Sequence, residues 1–232
     1  AGNLPLWNPY TYSRHPFLAD IQAAVFYPLS NLLLWLTLPW GEAGARLYIL
    51  QIEAILQVAL AGWFTALLVQ KWTQNRWAGL VAGSTFAFSG YLTGYPPLQL
   101  AILRTVIWLP LLLYFLDHAF ETGAWHWWIA AAVAYATAFF AGHPQSFLHI
   151  SYWVAGYALL QIILIGRQNF REGAWRTLGL LFFYGASALL SAAQLLPSLE
   201  FTQLSVRANT DYAFVSGGFP LVDSWQMLMP AI

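Results

Sequence analysis

The side chains able to do chemistry in this chain sit inside or beside long apolar runs. Asp20 ends the polar, aromatic and proline-rich stretch LWNPYTYSRHPFLAD, just before an apolar segment. A carboxylate there can take a proton from a hydroxyl or hold a cation. An aspartate before a helix also caps its free N–H groups, and the two roles can coexist. Arg14 and His15 of the same stretch are candidate substrate contacts. Arg104 lies in the apolar run 98–116. A guanidinium in hydrocarbon costs about 2.5–3.5 kcal/mol on insertion scales, so a partner or a cavity is expected. Its planar fork suits a phosphate, and its place near the end of the run also allows it to snorkel to the interface.

Glu53 lies deeper, with Gln57 one helical turn further on. That spacing suits a polar seam between helices or a proton-transfer group. His143 and Gln145 belong to the turn GHPQ, which interrupts the greasy stretch AFFAGHPQSFLHI. The imidazole there is a candidate acid, base, metal ligand or phosphate donor, and a turn His can equally bind backbone. His149 follows six positions later, a spacing that does not pair two imidazoles on one helix face. With no cysteine and no paired histidines, no metal site is expected.

These residues need elements to hold them, and composition says which. The 232 residues are 59% hydrophobic, 18% aromatic and 8% charged, with mean hydropathy +0.58. Soluble domains carry about 25% charged residues. So large a deficit leaves too little polar surface to face water, and it predicts an integral membrane protein. The apolar runs are long, rich in Leu and Ala, and not alternating, so the fold class is all-α, a polytopic helical bundle. Net charge is zero, which gives no reason to expect a nucleic-acid partner.

About six spanning helices are predicted, over 45–69, 77–91, 98–116, 127–140, 146–165 and 175–196. Aromatic residues near many of their ends fit interfacial belts. Lys71 and Arg76 lie in one connection and Arg167, Arg171 and Arg176 in another, so the positive-inside tendency makes these loops cytoplasmic. The WNPY block, GYPP, GHPQ and the tail from Pro197 onward then face outward. The segment 21–40 reads as interfacial or re-entrant helices, with a true span as the alternative, because Pro28, Ser30 and Asn31 interrupt it. Residues 1–43 are therefore an external loop, 44–197 the bundle, and 198–232 an external loop or the start of a further segment. Both ends read as cuts through a longer protein.

The block LPLWNPYTYSRHPFLADIQAAVFYPLSNLL, followed by GYPP, AGHPQ and AAQLLPSLE, resembles bacterial YfhO-type multispanning membrane proteins of the GT-C glycosyltransferase superfamily. The resemblance covers most of the chain. It implies a first transmembrane helix and a C-terminal part beyond this piece, and a bacterial cytoplasmic (inner) membrane. It also implies transfer of a sugar from a lipid-phosphate carrier at the extracytoplasmic face, with an acid of the first external loop as base or metal partner. Asp20 is the acid in the matching region. Arg104, His143, Gln145, Arg14 and His15 are then the expected substrate contacts, and a divalent cation beside the lipid phosphate is the cofactor left open. Two other functions compete: an accessory subunit of a larger membrane complex, and a transporter or flippase built around Glu53 and the Pro-broken segment.

Overall fold

The structure, a computed structural model, describes residues 6–9, 16–37, 39, 43–94 and 99–204. Arg14, His15, residues 95–98 of the GYPP turn and the tail from 205 lie outside the described residues. The described chain is helical: α1 Pro28–Thr37, α2 Ala43–Thr73, α3 Arg76–Ala87, α4 Gly90–Thr93, α5 Leu100–Val106, α6 Trp108–Thr122, α7 Trp125–Phe140, α8 Pro144–Gln168 and α9 Phe170–Leu204. Among the described residues four stretches are long and apolar enough to cross a membrane: Tyr48–Thr73, Leu100–Thr122, Pro144–Gln168 and Phe170–Leu204. Ile55, Val81, Trp153, Leu181 and Leu189 on these helices and on α3 are more than half exposed. So much outward-facing apolar surface suits hydrocarbon and not water.

Of the expected runs, 77–91 and 127–140 form the shorter helices α3 and α7. At 1.5 Å per residue these measure about 18 Å and about 24 Å, less than the ~30 Å hydrocarbon core. α3 stops at Phe88, where Ser89 starts α4 by accepting from the Leu92 N–H. The run 98–116 extends to Thr122 but breaks at Ile107. Pro110 explains the break, since it cannot donate to the Val106 carbonyl and its ring crowds that group. Pro197 behaves otherwise: α9 continues through it to Leu204, so the helix does not end near 196 as the sequence suggests. α1 is ten residues, too short to cross alone. Pro28 opens it at the first position, where the missing N–H is harmless, so it starts this helix instead of kinking one.

α7 is the most enclosed element. Its alanines at 131, 132, 134, 136 and 138 are all buried. These small side chains let α6 and α9 close around α7, with Trp128, Leu112, Leu116 and Phe183 filling the space. α2 and α3 form an antiparallel hairpin across a turn in which Gln74 takes a left-handed φ of 53° and Asn75 caps α3. The hairpin closes through glycines. A Cβ on Gly79 would sit 2.6 Å from the Ala66 carbonyl oxygen, and one on Gly83 would collide with the Gly62 carbonyl. Backbones approach this closely where only small residues intervene.

Gly83→Leu should therefore force the hairpin apart. Its midpoint of thermal unfolding in detergent should fall by an amount equivalent to about 1–3 kcal/mol. Gly156→Ala, inside α8 with open space around its α-carbon, should not lower the midpoint, because alanine is the better helix former.

Candidate functional site

One end of the bundle gathers three polar stretches that are far apart in sequence. Asp20 caps the short 3₁₀ turn Ile21–Ala23, its Oδ1 accepting from the Gln22 N–H at 2.9 Å. The GHPQ turn lies against that loop. Gly142 has φ +91°, and a Cβ there would meet the Ile21 carbonyl oxygen at 2.7 Å and the Ala24 side chain at 3.2 Å. A left-handed backbone at a close approach leaves room for glycine alone. From the other side, Gln194 of α9 donates to the Leu18 carbonyl and the Ser198 hydroxyl to the Ala19 carbonyl, each at 2.9 Å. Asp20 and His143 therefore lie at the same end, joined through backbone packing.

His143 caps α8. Its Nδ1 accepts from the Ser146 N–H at 3.1 Å and lies 2.8 Å from the Ser146 hydroxyl. Burial, then the nearby His149, holds the imidazole below the usual histidine range. An Nδ1 that accepts a backbone N–H must be unprotonated, which agrees with that direction. Gln145 is exposed on the first turn of α8.

Glu53 and Arg104 are brought together. Arg104 Nε donates to Glu53 Oε1 at 2.6 Å and Nη2 to Oε2 at 2.7 Å, a two-pronged pair. Ser30 of α1 adds a bond to Oε1 at 2.6 Å. Gln57 reaches the same oxygen at 3.5 Å, too long to count for much. The Gln57 amide is better placed on the Tyr27 hydroxyl, at 2.9 Å, which also accepts from the Trp108 indole at 3.3 Å. The Arg104 guanidinium stands over the Tyr27 ring at 5.7 Å. Burial pushes the Tyr27 hydroxyl up to about 12, so it stays protonated. The Glu53 side chain is 1% exposed and that of Arg104 13%. The guanidinium fork expected for a phosphate is occupied by an internal carboxylate. The pair ties α1, α2 and α5 together and so fixes the segment that follows Asp20.

A second carboxylate hub stands at the opposite end. Lys71 lies eighteen positions after Glu53 on α2, about 27 Å along the axis. Asp117 accepts from the Lys71 ammonium, from the Trp72 indole at 3.2 Å and from the Tyr157 hydroxyl. Lys71 also meets Glu121 at 2.7 Å. Arg176 of α9 donates to the Phe120 carbonyl at 2.8 Å and the Glu121 carbonyl at 3.2 Å, covering free acceptors at the end of α6. Trp72, Trp77, Trp125 and Trp175 ring this end, with Trp125 and Trp175 edge to face at 5.9 Å.

The sequence points to Glu53, Gln57 and Arg104 as intramembrane polar groups, but not to Tyr27, Ser30, Trp108, Asp117 or Tyr157. Their partners lie 23 to 81 positions away, and no spacing rule reaches that far. Among the described residues no cluster of three His, Asp or Glu side chains is arranged to hold a metal ion. Comparison of the chain with family models, curated proteins and solved structures found no match.

Removing one partner of a buried pair strands the other charge. Glu53→Gln should cost about 3–5 kcal/mol of stability, and Arg104→Met in the same chain should restore most of it. Denaturant unfolding of both variants checks this, and a Glu53→Gln protein as stable as the parent would refute it. The His143 cap has a pH signature. Its folded pKa is lowered, so its contribution is fully present above the ordinary histidine value near 6.5 and is lost as pH falls through the folded value. Thermal unfolding midpoints should drop on acidification across that window. The part of the drop due to this residue should vanish in His143→Asn, which keeps a capping acceptor that does not titrate.

Proposed function

We propose that this chain is part of a GT-C-type transferase that uses a lipid-phosphate-linked sugar. In this reading it is a bundle of about six crossings in a bacterial cytoplasmic membrane, α3 and α7 included, with the Asp20 end outward. The supporting observation is the convergence at one end of the Asp20 loop, the GHPQ turn and the Gln194–Ser198 segment of α9, held to one another by hydrogen bonds and glycine contact. Lys71, Arg76, Arg167, Arg171 and Arg176 lie at the other end, which favours that end as cytoplasmic.

A lipid-linked donor keeps its chain in the bilayer and its phosphate at headgroup level, where the Asp20 loop stands. Asp20 accepts the proton of an acceptor hydroxyl. The acceptor oxygen bonds to the anomeric carbon as the bond from that carbon to the phosphate oxygen breaks, and the lipid phosphate leaves as an anion. Arg104 and Glu53 act here as positioning residues, because each fills the other and together they hold α1 under the loop. His143 and Gln145 supply the neighbouring turn. The described side chains do not build a divalent-cation site, so no step is assigned to a metal.

A second reading, an accessory subunit of a larger membrane complex, is favoured by one fact: Arg104, His143 and Asp20 all make hydrogen bonds within the chain. A transporter is supported less, because Glu53 is enclosed and lies nearer one end of α2's apolar stretch than its middle.

Purified full-length protein in lipid nanodiscs should move labelled sugar from a polyprenyl-phosphate donor. Asp20→Asn should lower the rate by about 100-fold or more, with thermal unfolding unchanged. Full activity in Asp20→Asn removes the assignment, and no transfer by the parent protein with any donor favours the subunit reading.

A further inference from the structure

The turn between α8 and α9 reads Arg167-Gln168-Asn169-Phe170-Arg171 and stands at the Asp117 end. Arg167 and Arg171 are exposed, and among the described residues neither side chain has an ion pair or a hydrogen bond. The other cations of this end are engaged. Lys71 meets Asp117 and Glu121, Arg176 meets Glu172 at 2.6 Å, and Arg76 lies over the Trp77 ring. Glu172 is the acid nearest the turn, and Arg176 already neutralises it, so the turn keeps two uncompensated positive charges. Phe170, between them in the chain, is 85% exposed. A bare phenyl ring flanked by free guanidinium groups suits a bilayer surface, where the ring enters the acyl boundary and the cations stay among phosphates.

α9 continues that pattern into the bundle. A concavity of about 680 Å³ beside its first turns is lined by Asn169, Arg171, Glu172, Ala174, Trp175 and Leu178. Arg171, Trp175, Leu178 and Phe182 follow at spacings of four, three and four, so they share one helix face, and all four are exposed. Trp125 of α7 borders the face, edge to face with Trp175 at 5.9 Å and with Phe182 at 5.1 Å. From Arg171 to Phe182 the helix rises about 16 Å, close to half of a hydrocarbon core ~30 Å thick. The strip passes from cation to indole to aliphatic chain to phenyl ring. A phospholipid passes from phosphate to glycerol to acyl chain over the same depth.

We infer that this strip seats an anionic phospholipid, its phosphate between Arg167 and Arg171 and one acyl chain along Trp175, Leu178 and Phe182. The guanidinium fork suits a phosphate. The arginine side chains must supply the donors, because the Asn169 side chain already takes the Arg171 and Glu172 N–H groups at 3.1 and 3.3 Å. A phosphatidylcholine or phosphatidylethanolamine headgroup brings a cation of its own, which two unpaired arginines repel, and phosphatidylglycerol brings none. Soluble phosphate would satisfy the arginines and leave Phe170 and the apolar wall without a partner. The inference needs the α8–α9 turn at a membrane surface and does not depend on the transferase reading.

The test is native mass spectrometry of purified full-length protein in a neutral detergent, titrated with phosphatidylglycerol and with phosphatidylcholine of the same acyl chains. The parent protein should bind phosphatidylglycerol about tenfold tighter. Arg167→Gln and Arg171→Gln should each weaken phosphatidylglycerol about fivefold, as loss of one cation near an anionic headgroup does, and leave phosphatidylcholine unchanged. Phe170→Ser should weaken both lipids alike. Arg76→Gln, at the start of α3, should change neither. Thermal unfolding without lipid should stay at the parent value in the arginine variants, and the comparison of the two lipids on the parent protein needs no variant at all. Equal binding of the two lipids by the parent overturns the inference. So does an equal loss in Arg76→Gln, which would mark a diffuse charge effect. Competition by glycerol phosphate at the lipid's own concentration also overturns it, since that would mark a site for a soluble anion.

Discussion

A carboxylate enclosed by helices keeps its charge only when donors surround it, and the architecture here turns on two such groups. Glu53 is met by Arg104 from α5 and Ser30 from α1. Asp117 is met by Lys71 and Trp72 from α2 and Tyr157 from α8. α2 contributes to both, one hub near each end. Apolar packing between lipid-bathed helices supplies little direction, since hydrocarbon is as good a neighbour as leucine. The two ionic hubs supply direction instead. Each fixes which helices meet and at what height, because any other pairing would leave a charge in a medium of low dielectric.

The same logic separates the two ends chemically. At the Asp117 end Lys71 pairs with Asp117 and Glu121, Arg176 covers the terminal carbonyls of α6, and tryptophans surround them. The Asp20 end is assembled from short, irregular pieces: a 3₁₀ turn, the ten-residue α1, a glycine turn and the end of a long helix. Regular helices use up their backbone polar groups internally, whereas loops do not, so this end carries more of them outside helical ladders. The hydrogen bonds from α9 to the loop keep the irregular pieces in register with the bundle.

Much of this was legible in the residues. The scarcity of charge and the long runs of Leu and Ala required apolar helices, and the runs lie where the helices are. Glu53 and Arg104 stood out because charges inside such runs demand partners. That they partner each other was not legible, since fifty-one positions separate them and the face each presents depends on the break at Ile107. Proline misled in two directions. Pro28 looks like an interruption and is a helix start, while Pro197 looks like an end and is tolerated inside α9. What decides between these outcomes is whether neighbouring groups absorb the lost hydrogen bond, a tertiary matter. Ser30 is the clearest omission: a serine in a greasy segment reads as a defect, and it is a ligand of the buried carboxylate.

The glycine seam between α2 and α3 has a consequence for biogenesis. α3 is too short to be threaded across a bilayer by its own hydrophobicity, whereas α2 is not. With only a two-residue link and backbones in van der Waals contact, the two can leave the insertion machinery as a pre-zipped pair, the longer member carrying the shorter. A bulky residue in the seam would then be felt during synthesis, as failed integration, before it was felt in the finished protein.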